Sequence, residues 1–320
     1  MQQVDSQSQQ QQQQKRYYSN FINSVRSEAT RRSYQHYLKK FQEFYEGKDI
    51  LFDGNIKQIE QNIITYLLSI KEKGLSHHHI KCTFVGINHF YMISDINLNR
   101  NKIKRFIHFD EKRKHKNQGY SSEQIQNLLD ICDERTKVII LVYASTGIRL
   151  GALPELKVGD LELIDVDLGK FQLYQITVYQ GYNEEYITFC TPECTKVINS
   201  YLEYRQRFGE KITNDSPLIR EQFNPDDPLK AKYPKSITIQ TIAKTLTKKL
   251  VQNGIRIVKQ TGKGQGARFR KDIPLIHGFR KFFNTALMNA DIHPVFKELL
   301  MGHSVKLERS KGTGLRYYGE

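Results

Sequence analysis

The stretch "HGFRKFFNTALMNADIHPVFKELLMGHS", His277 to Ser304, decides how the rest of the chain is read. Its apolar residues recur at three-and-four spacing on either side of the polar break His293-Pro294, which predicts two amphipathic helices. A helix built only to pack has no need of the histidines. His277 stands three residues before Arg280, so both share one helical face, and His303 closes the stretch behind a glycine.

Composition narrows the possible partners. The chain has 320 residues, room for two ordinary domains with a buried core in each. Its 49 Lys plus Arg against 34 Asp plus Glu leave a formal charge of +15, with a pI near 9.5. That surplus favours a polyanion, nucleic acid ahead of an anionic membrane. No apolar run approaches the roughly 18 residues that span a bilayer, and the polar N-terminus carries no secretory pattern. A cytoplasmic protein is expected. Four scattered cysteines make no disulfide framework. Cys190 and Cys194 form a C-x3-C pair without a second pair at zinc spacing, so both read as small buried residues.

Organisation follows from periodicity and breakers. Residues 1–16 are glutamine-rich and offer almost nothing to bury, which predicts a disordered tail. Residues 17–110 hold four short helical patterns, with Ser27 or Thr30 and then Ser76 as caps and Gly47 and Gly74 as stops. They predict a small all-helical domain. Within it, His77-His78-His79 do not read as a metal site, because consecutive helical residues point about 100° apart. Residues 111–120 read as a basic linker, with Lys112, Arg113, Lys114 and Lys116 as candidate phosphate contacts.

Residues 121–320 form the second domain. It opens with a Ser121 or Ser122 cap, and a long apolar run breaks at Gly147. "FQLYQITVYQ" and "EYITFC" around "GYNE" predict a β-hairpin, and Thr191-Pro192 start a further helix. "TGKGQGARFRKD" predicts a flexible basic loop, without the preceding strand or the G-K-[ST] ending of a phosphate-binding turn. The expected fold is mainly α with a small β-hairpin or sheet.

Three pieces carry chemistry. "TGIRLGALPEL" places Arg149 after a glycine break, "HGFR" supplies His277 and Arg280, and "LMGHS" supplies His303, followed at some distance by Tyr317-Tyr318. Two guanidinium forks can hold the non-bridging oxygens of one phosphate and neutralise charge that builds on phosphorus. Imidazoles add donors or a proton acceptor near neutral pH. A tyrosine hydroxyl beside such cations can attack phosphorus and store the bond as an ester.

In this order, the pieces resemble the tyrosine recombinase (phage integrase) family. The wording "YITFCTPEC", "HGFRKFFNT" and "LMGHS" is similar to integrases of archaea and their mobile elements. The resemblance covers about residues 119–320; residues 17–110 resemble the family's core-binding domain more loosely. It implies a two-domain clamp on double-stranded DNA, a 3′-phosphotyrosine intermediate, no metal or nucleotide cofactor, and a homotetramer on two DNA sites. It implies work in the host cytoplasm, at the nucleoid. By motif, Arg149 and Arg280 are the clamp arginines, and His277 and His303 the two histidine positions. A type IB topoisomerase shares this chemistry, but the "HGFR" and "GHS" wording favours an integrase.

Three departures stand out. The family places its tyrosine nine residues after the "GHS" histidine, where this chain has Gly312. An insertion, "LERSKGTGL", moves the expected nucleophile to Tyr318, with Tyr317 the alternative. The sequence stops two residues later, before the segment that many relatives dock on a neighbour, so a shortened end or a different assembly is expected. The hairpin position that holds the family's lysine falls at Gln180, leaving Lys170 or a lysine of the Gly-rich loop as substitute. Ala152 stands where relatives carry a buttressing acid. These losses keep an alternative open, a catalytically impaired, recombinase-derived DNA-binding protein.

Overall fold

Serine, asparagine and threonine caps, more than any long-range feature, set where the helices of this chain begin. The computed structural model describes residues 2–46, 51, 54–107, 118–224, 227–261, 268–271, 273–304, 306–309 and 315–318. Two compact units form, the first within residues 1–114 and the second within residues 115–320.

The first unit contains α1 (Gln2–Asn23), α2 (Glu28–Phe44), α3 (Ile56–Glu72), α4 (His77–Ile93) and α5 (Arg100–Phe106). Ser27, Asn55, Ser76 and Asn99 cap the last four by accepting a backbone N–H three residues on. Leu38 and Phe41 of α2, Ile63 and Leu67 of α3, and Phe84 and Ile87 of α4 bury together, with Ile103 of α5 completing the core. The Gln-rich segment expected as a disordered tail is instead the first part of α1. Glutamine is a good helix former, and Phe21 at the other end is buried edge-on against Phe90 at 5.5 Å, which anchors the helix. His77, His78 and His79 open α4, and among the described residues no group of three or more His, Cys, Asp or Glu is placed to hold a metal ion.

The second unit is built around α7 (Glu134–Thr146). This helix is apolar all round: Val138, Ile139, Ile140, Val142 and Tyr143 are fully buried, so neighbours cover every face. They are α6 (Ser122–Asp130), α8 (Pro192–Arg207), α10 (Ile239–Gln252) and α11 (Leu275–Asn289). Ser121 and Gln124 make a capping box on α6, and Thr191 caps α8 with Pro192 at its first position. Cys190 and Cys194, at the start of α8, are both buried, as the sequence predicts.

A three-stranded antiparallel sheet lies against α8, from β1 (Leu161–Val166), β2 (Phe171–Val178) and β3 (Tyr186–Phe189). Leu161 pairs with Ile176 and Val178 with Tyr186, which brings the β2–β3 turn to the end of the sheet that serves the site. The expected hairpin is present, joined by β1, which sequence did not single out. The remaining elements are α9 (Pro228–Lys232), β4 (Val258–Thr261), β5 (Arg268–Lys271), α12 (Pro294–Leu300), β6 (Lys306–Arg309) and β7 (Leu315–Tyr318). β4 and β5 pair antiparallel. This corrects the expectation of a plain flexible loop: a strand does precede the Gly-rich turn, whose own residues 262–267 lie outside the described ones. Among the described residues no helix is long and apolar enough to cross a membrane.

Candidate active site

The site starts from a helix stop. α7 ends at Gly147, which takes a left-handed φ of 61° and donates its N–H to the Tyr143 carbonyl. A Cβ at this position would meet the Phe283 ring at 2.4 Å. The turn releases Arg149 into solvent two residues on while Ile148 stays buried. Gly147→Ala is therefore expected to cost about 1–3 kcal/mol, left-handed strain plus the clash. Gly254→Ala, at φ 65° with nothing within 4 Å of its Cβ, isolates the strain alone. Thermal denaturation of both variants checks this; equal losses would contradict it.

The second stop is at α12. Gly302, at φ 66°, donates to the Leu299 carbonyl, and His303 donates to the Glu298 carbonyl at 2.9 Å. This is a Schellman motif, and it folds His303 back over the last turn of α12. The Tyr186 ring of β3 occupies the space where a Gly302 Cβ would stand, with the nearest approach 2.4 Å.

Both arginines meet this second stop. Arg149 Nη2 donates to the Gly302 carbonyl at 3.0 Å, and Arg280 Nη2 donates to the adjacent Met301 carbonyl at 2.6 Å. Arg280 also donates through Nη1 to the Gly147 carbonyl, tying the two stops together. Its Nη2 lies 2.7 Å from His303 Nε2, and His303 Nδ1 faces the Glu298 carboxylate. Arg280 is buried and Arg149 exposed. Burial first, then repulsion from Arg149, presses the Arg280 guanidinium below its usual pKa. Two neighbouring cations, one of them poorly solvated, make a site ready for an anion with several oxygens.

Arg149, Gly302 and His303 border a cleft of about 730 Å³, lined also by Glu155, Tyr179, Tyr182 and Tyr186 among others. Tyr186 is held at its rim with its hydroxyl sealed from solvent beside Arg280. Burial pushes that hydroxyl up to about 12 despite the pull of Arg280 and Arg149. Burial raises Tyr179 too. Burial thus disfavours the ionised form of both Tyr179 and Tyr186.

Sequence reasoning placed Arg149, Arg280 and His303 in one site, and they meet. His277 lies on the first turn of α11, exposed, one turn before Arg280. Tyr317 and Tyr318 lie on β7, opposite Leu307 and Lys306 of β6. Lys112, Arg113, Lys114 and Lys116, and Gly312, lie outside the described residues. Lys170 is corrected. It sits in the β1–β2 turn, paired with Asp167 at 3.0 Å. It enters β2 at the end opposite Tyr179, about 26 Å away for a strand of this length. The β2–β3 turn itself offers Tyr182, Asn183, Glu184 and Glu185 to the cleft. Ala152 is buried, and Glu155, with Glu184 and Glu185 of the turn, lines the cleft beside Arg149. Glu298 and Tyr186 were missed. Glu298 was legible in principle, because a helix-ending glycine brings the residues four before and one after it together.

The fold is that of the tyrosine recombinases, mainly helical with one small antiparallel sheet beside the arginine-bearing site. It matches the Tn1549 transposon integrase in complex with transposon right end DNA at a TM-score of 0.59, with 16% identity over 90% of both chains. It matches the XerH site-specific recombinase bound to difH substrate at 0.57, with 18% identity over 86% of this chain and 74% of that one. A lambda integrase tetramer bound to a Holliday junction matches at 0.58, with 13% identity over 94% and 79%. In sequence, the chain is similar to the tyrosine recombinase XerC of Staphylococcus aureus strains RF122 and MRSA252, 26% identical over 196 residues. Those matches cover 58% of this chain and 62% of the relatives, so the chain spans about three fifths of the length of the curated relatives it matches. No family model matches the chain.

Proposed function

We propose that the chain is a tyrosine site-specific recombinase that cuts and rejoins double-stranded DNA through a 3′-phosphotyrosine intermediate. The observation that carries this reading is the pair Arg149 and Arg280, on separate elements, bonded to adjacent carbonyls beside His303. A phosphodiester in the cleft replaces those carbonyls as acceptor for part of each guanidinium fork, and the charge developing on phosphorus is met by donors already in place. His277 and His303 serve proton movement and positioning. Tyr318 attacks phosphorus: its O–H bond breaks, the O–P bond forms, and the P–O5′ bond breaks to release a 5′ hydroxyl. Attack by a partner strand's 5′ hydroxyl reverses the step.

In this reading residues 17–110 are the core-binding domain, and Lys112, Arg113, Lys114 and Lys116 of the linker contact backbone phosphates in a clamp on the duplex. Binding is steeply salt-dependent. The assembly is a homotetramer on two sites; the similar lambda integrase structure is a tetramer bound to a Holliday junction. Its setting is an archaeal mobile element, acting in the host cytoplasm at the nucleoid. Among the described residues, no lysine lines the cleft at the β2–β3 turn. That favours a second reading, a DNA-binding protein that no longer cleaves.

The test uses nicked duplexes randomised around the nick, so that cleavage traps the protein covalently. Wild type is expected to give a detergent-resistant DNA adduct that Tyr318→Phe abolishes. An adduct that survives in Tyr318→Phe and disappears in Tyr317→Phe reassigns the nucleophile. Tight, salt-dependent binding with no adduct from wild type supports the second reading instead.

A further inference from the structure

We propose that Glu298 is a positioning residue that fixes the tautomer of His303 and, through it, the orientation of the Arg280 fork. The inference rests on the recombinase reading for its consequence, but its geometry stands without it.

What each group can donate fixes where the protons sit. A guanidinium has only N–H donors. Arg280 Nη2 lies 2.7 Å from His303 Nε2, so Nε2 accepts and carries no proton. The ring's hydrogen is then on Nδ1, where it is donated to Glu298 Oε2. The opposite tautomer would set an Nε2–H against an arginine N–H and an unprotonated Nδ1 against a carboxylate. Both contacts would repel.

The carboxylate is itself held. Its other oxygen, Oε1, is 3.7 Å from Lys297 Nζ, and both side chains are largely buried, at 17% exposure. The backbone holds the pair as well, since the His303 N–H bonds the Glu298 carbonyl in the helix stop. In such stops the two positions usually make an apolar contact. Here the same closeness is used for a charged acceptor and an imidazole. The result is one chain of contacts, Lys297 to Glu298 to His303 to Arg280, ending at the phosphate-ready fork. With Gly147 and Met301 carbonyls as its other acceptors, Arg280 has its donors aimed before substrate arrives.

The direct test is nuclear magnetic resonance on full-length protein labelled with 15N at its ten histidines, with His303→Ala assigning the signal. Long-range proton–nitrogen correlations in wild type are expected to show an unprotonated Nε2 and a protonated Nδ1 for residue 303. Glu298→Ala removes the acceptor that holds the ring against Arg280, so the ring is expected to turn away from the fork and the tautomers to mix. Glu298→Gln retains volume and an acceptor, and is expected to hold the wild-type tautomer more weakly. On nicked DNA, adduct formation should slow about 10- to 100-fold in Glu298→Ala, the range that partners of a functional histidine usually carry. Duplex affinity should change less than about threefold, and Glu298→Gln should recover part of the rate. A protonated Nε2 in wild type, or an unchanged tautomer in Glu298→Ala, overturns the proposal. A wild-type protein with the expected tautomer but no adduct counts against the recombinase reading and leaves this inference standing.

Discussion

Arg280→Ala is expected to cut covalent adduct formation by about 10²- to 10³-fold, the effect of removing one preorganised donor to a developing oxyanion. The side chain is buried, and it donates to the Gly147 and Met301 carbonyls and to His303 Nε2. Truncation therefore does two things. It removes half of the clamp, and it strands buried acceptors, at a cost of about 1–3 kcal/mol of stability. Arg280→Lys keeps the charge but loses the planar fork, and one ammonium cannot reach all three acceptors. Its rate is expected nearer to alanine than to wild type. Bulk DNA affinity should hardly move, since one cation among many contributes about one unit to the salt slope. Adduct rates, thermal melting and salt titration of binding check the three parts separately. Adduct formation within tenfold of wild type would contradict the role.

Glu210→Ala is expected to be the most destabilising single change, at about 3–5 kcal/mol, or roughly 6–20 °C in melting temperature. Arg205, Glu210 and Arg220 form a buried ion triad, with Glu210 between the two guanidinium groups. Arg205 also donates to the Pro217 and Leu218 carbonyls, and Arg220 to those of Ala231 and Lys230. The triad thus fastens the segment after α8 to the core, and that segment leads into α10 beneath α7. Without the carboxylate, two buried cations face each other. Glu210→Gln keeps an acceptor and should lose less than the alanine variant. Melting curves decide the matter, and a shift of less than about 2 °C would show the triad to be dispensable.

Much of this architecture is legible in the chain because its signals are local. Ser27, Ser76, Ser121 and Thr191 announce helix starts, and each makes the expected cap. Gly147 announces the stop that frees Arg149. What was hidden has physical reasons. The glutamine run has no apolar period, so nothing in it distinguishes a helix propagated from Phe21 from a coil. β1 is exposed or half-exposed along its length, so its burial does not alternate as a strand pattern requires. The β4–β5 pair depends on partners across the Gly-rich turn.

The site divides in the same way. The arginines and His303 sit in local motifs and are found together. Tyr186 and Lys170 depend on which end of the sheet faces the cleft, and strand composition does not carry that information. The fold answers it through register: Val178 opposite Tyr186 puts the β2–β3 turn at the site and the β1–β2 turn with Lys170 at the far end.

The most direct test of the central claim is to digest the trapped protein–DNA adduct and identify, by mass spectrometry, the amino acid bearing the nucleotide. The account predicts a 3′-phosphotyrosyl nucleotide on the peptide containing Tyr318, formed by wild type and lost when Arg149 and Arg280 are both replaced by alanine. A nucleotide on Tyr179 or Tyr186, on a serine, or on no residue while DNA binding stays tight would contradict it.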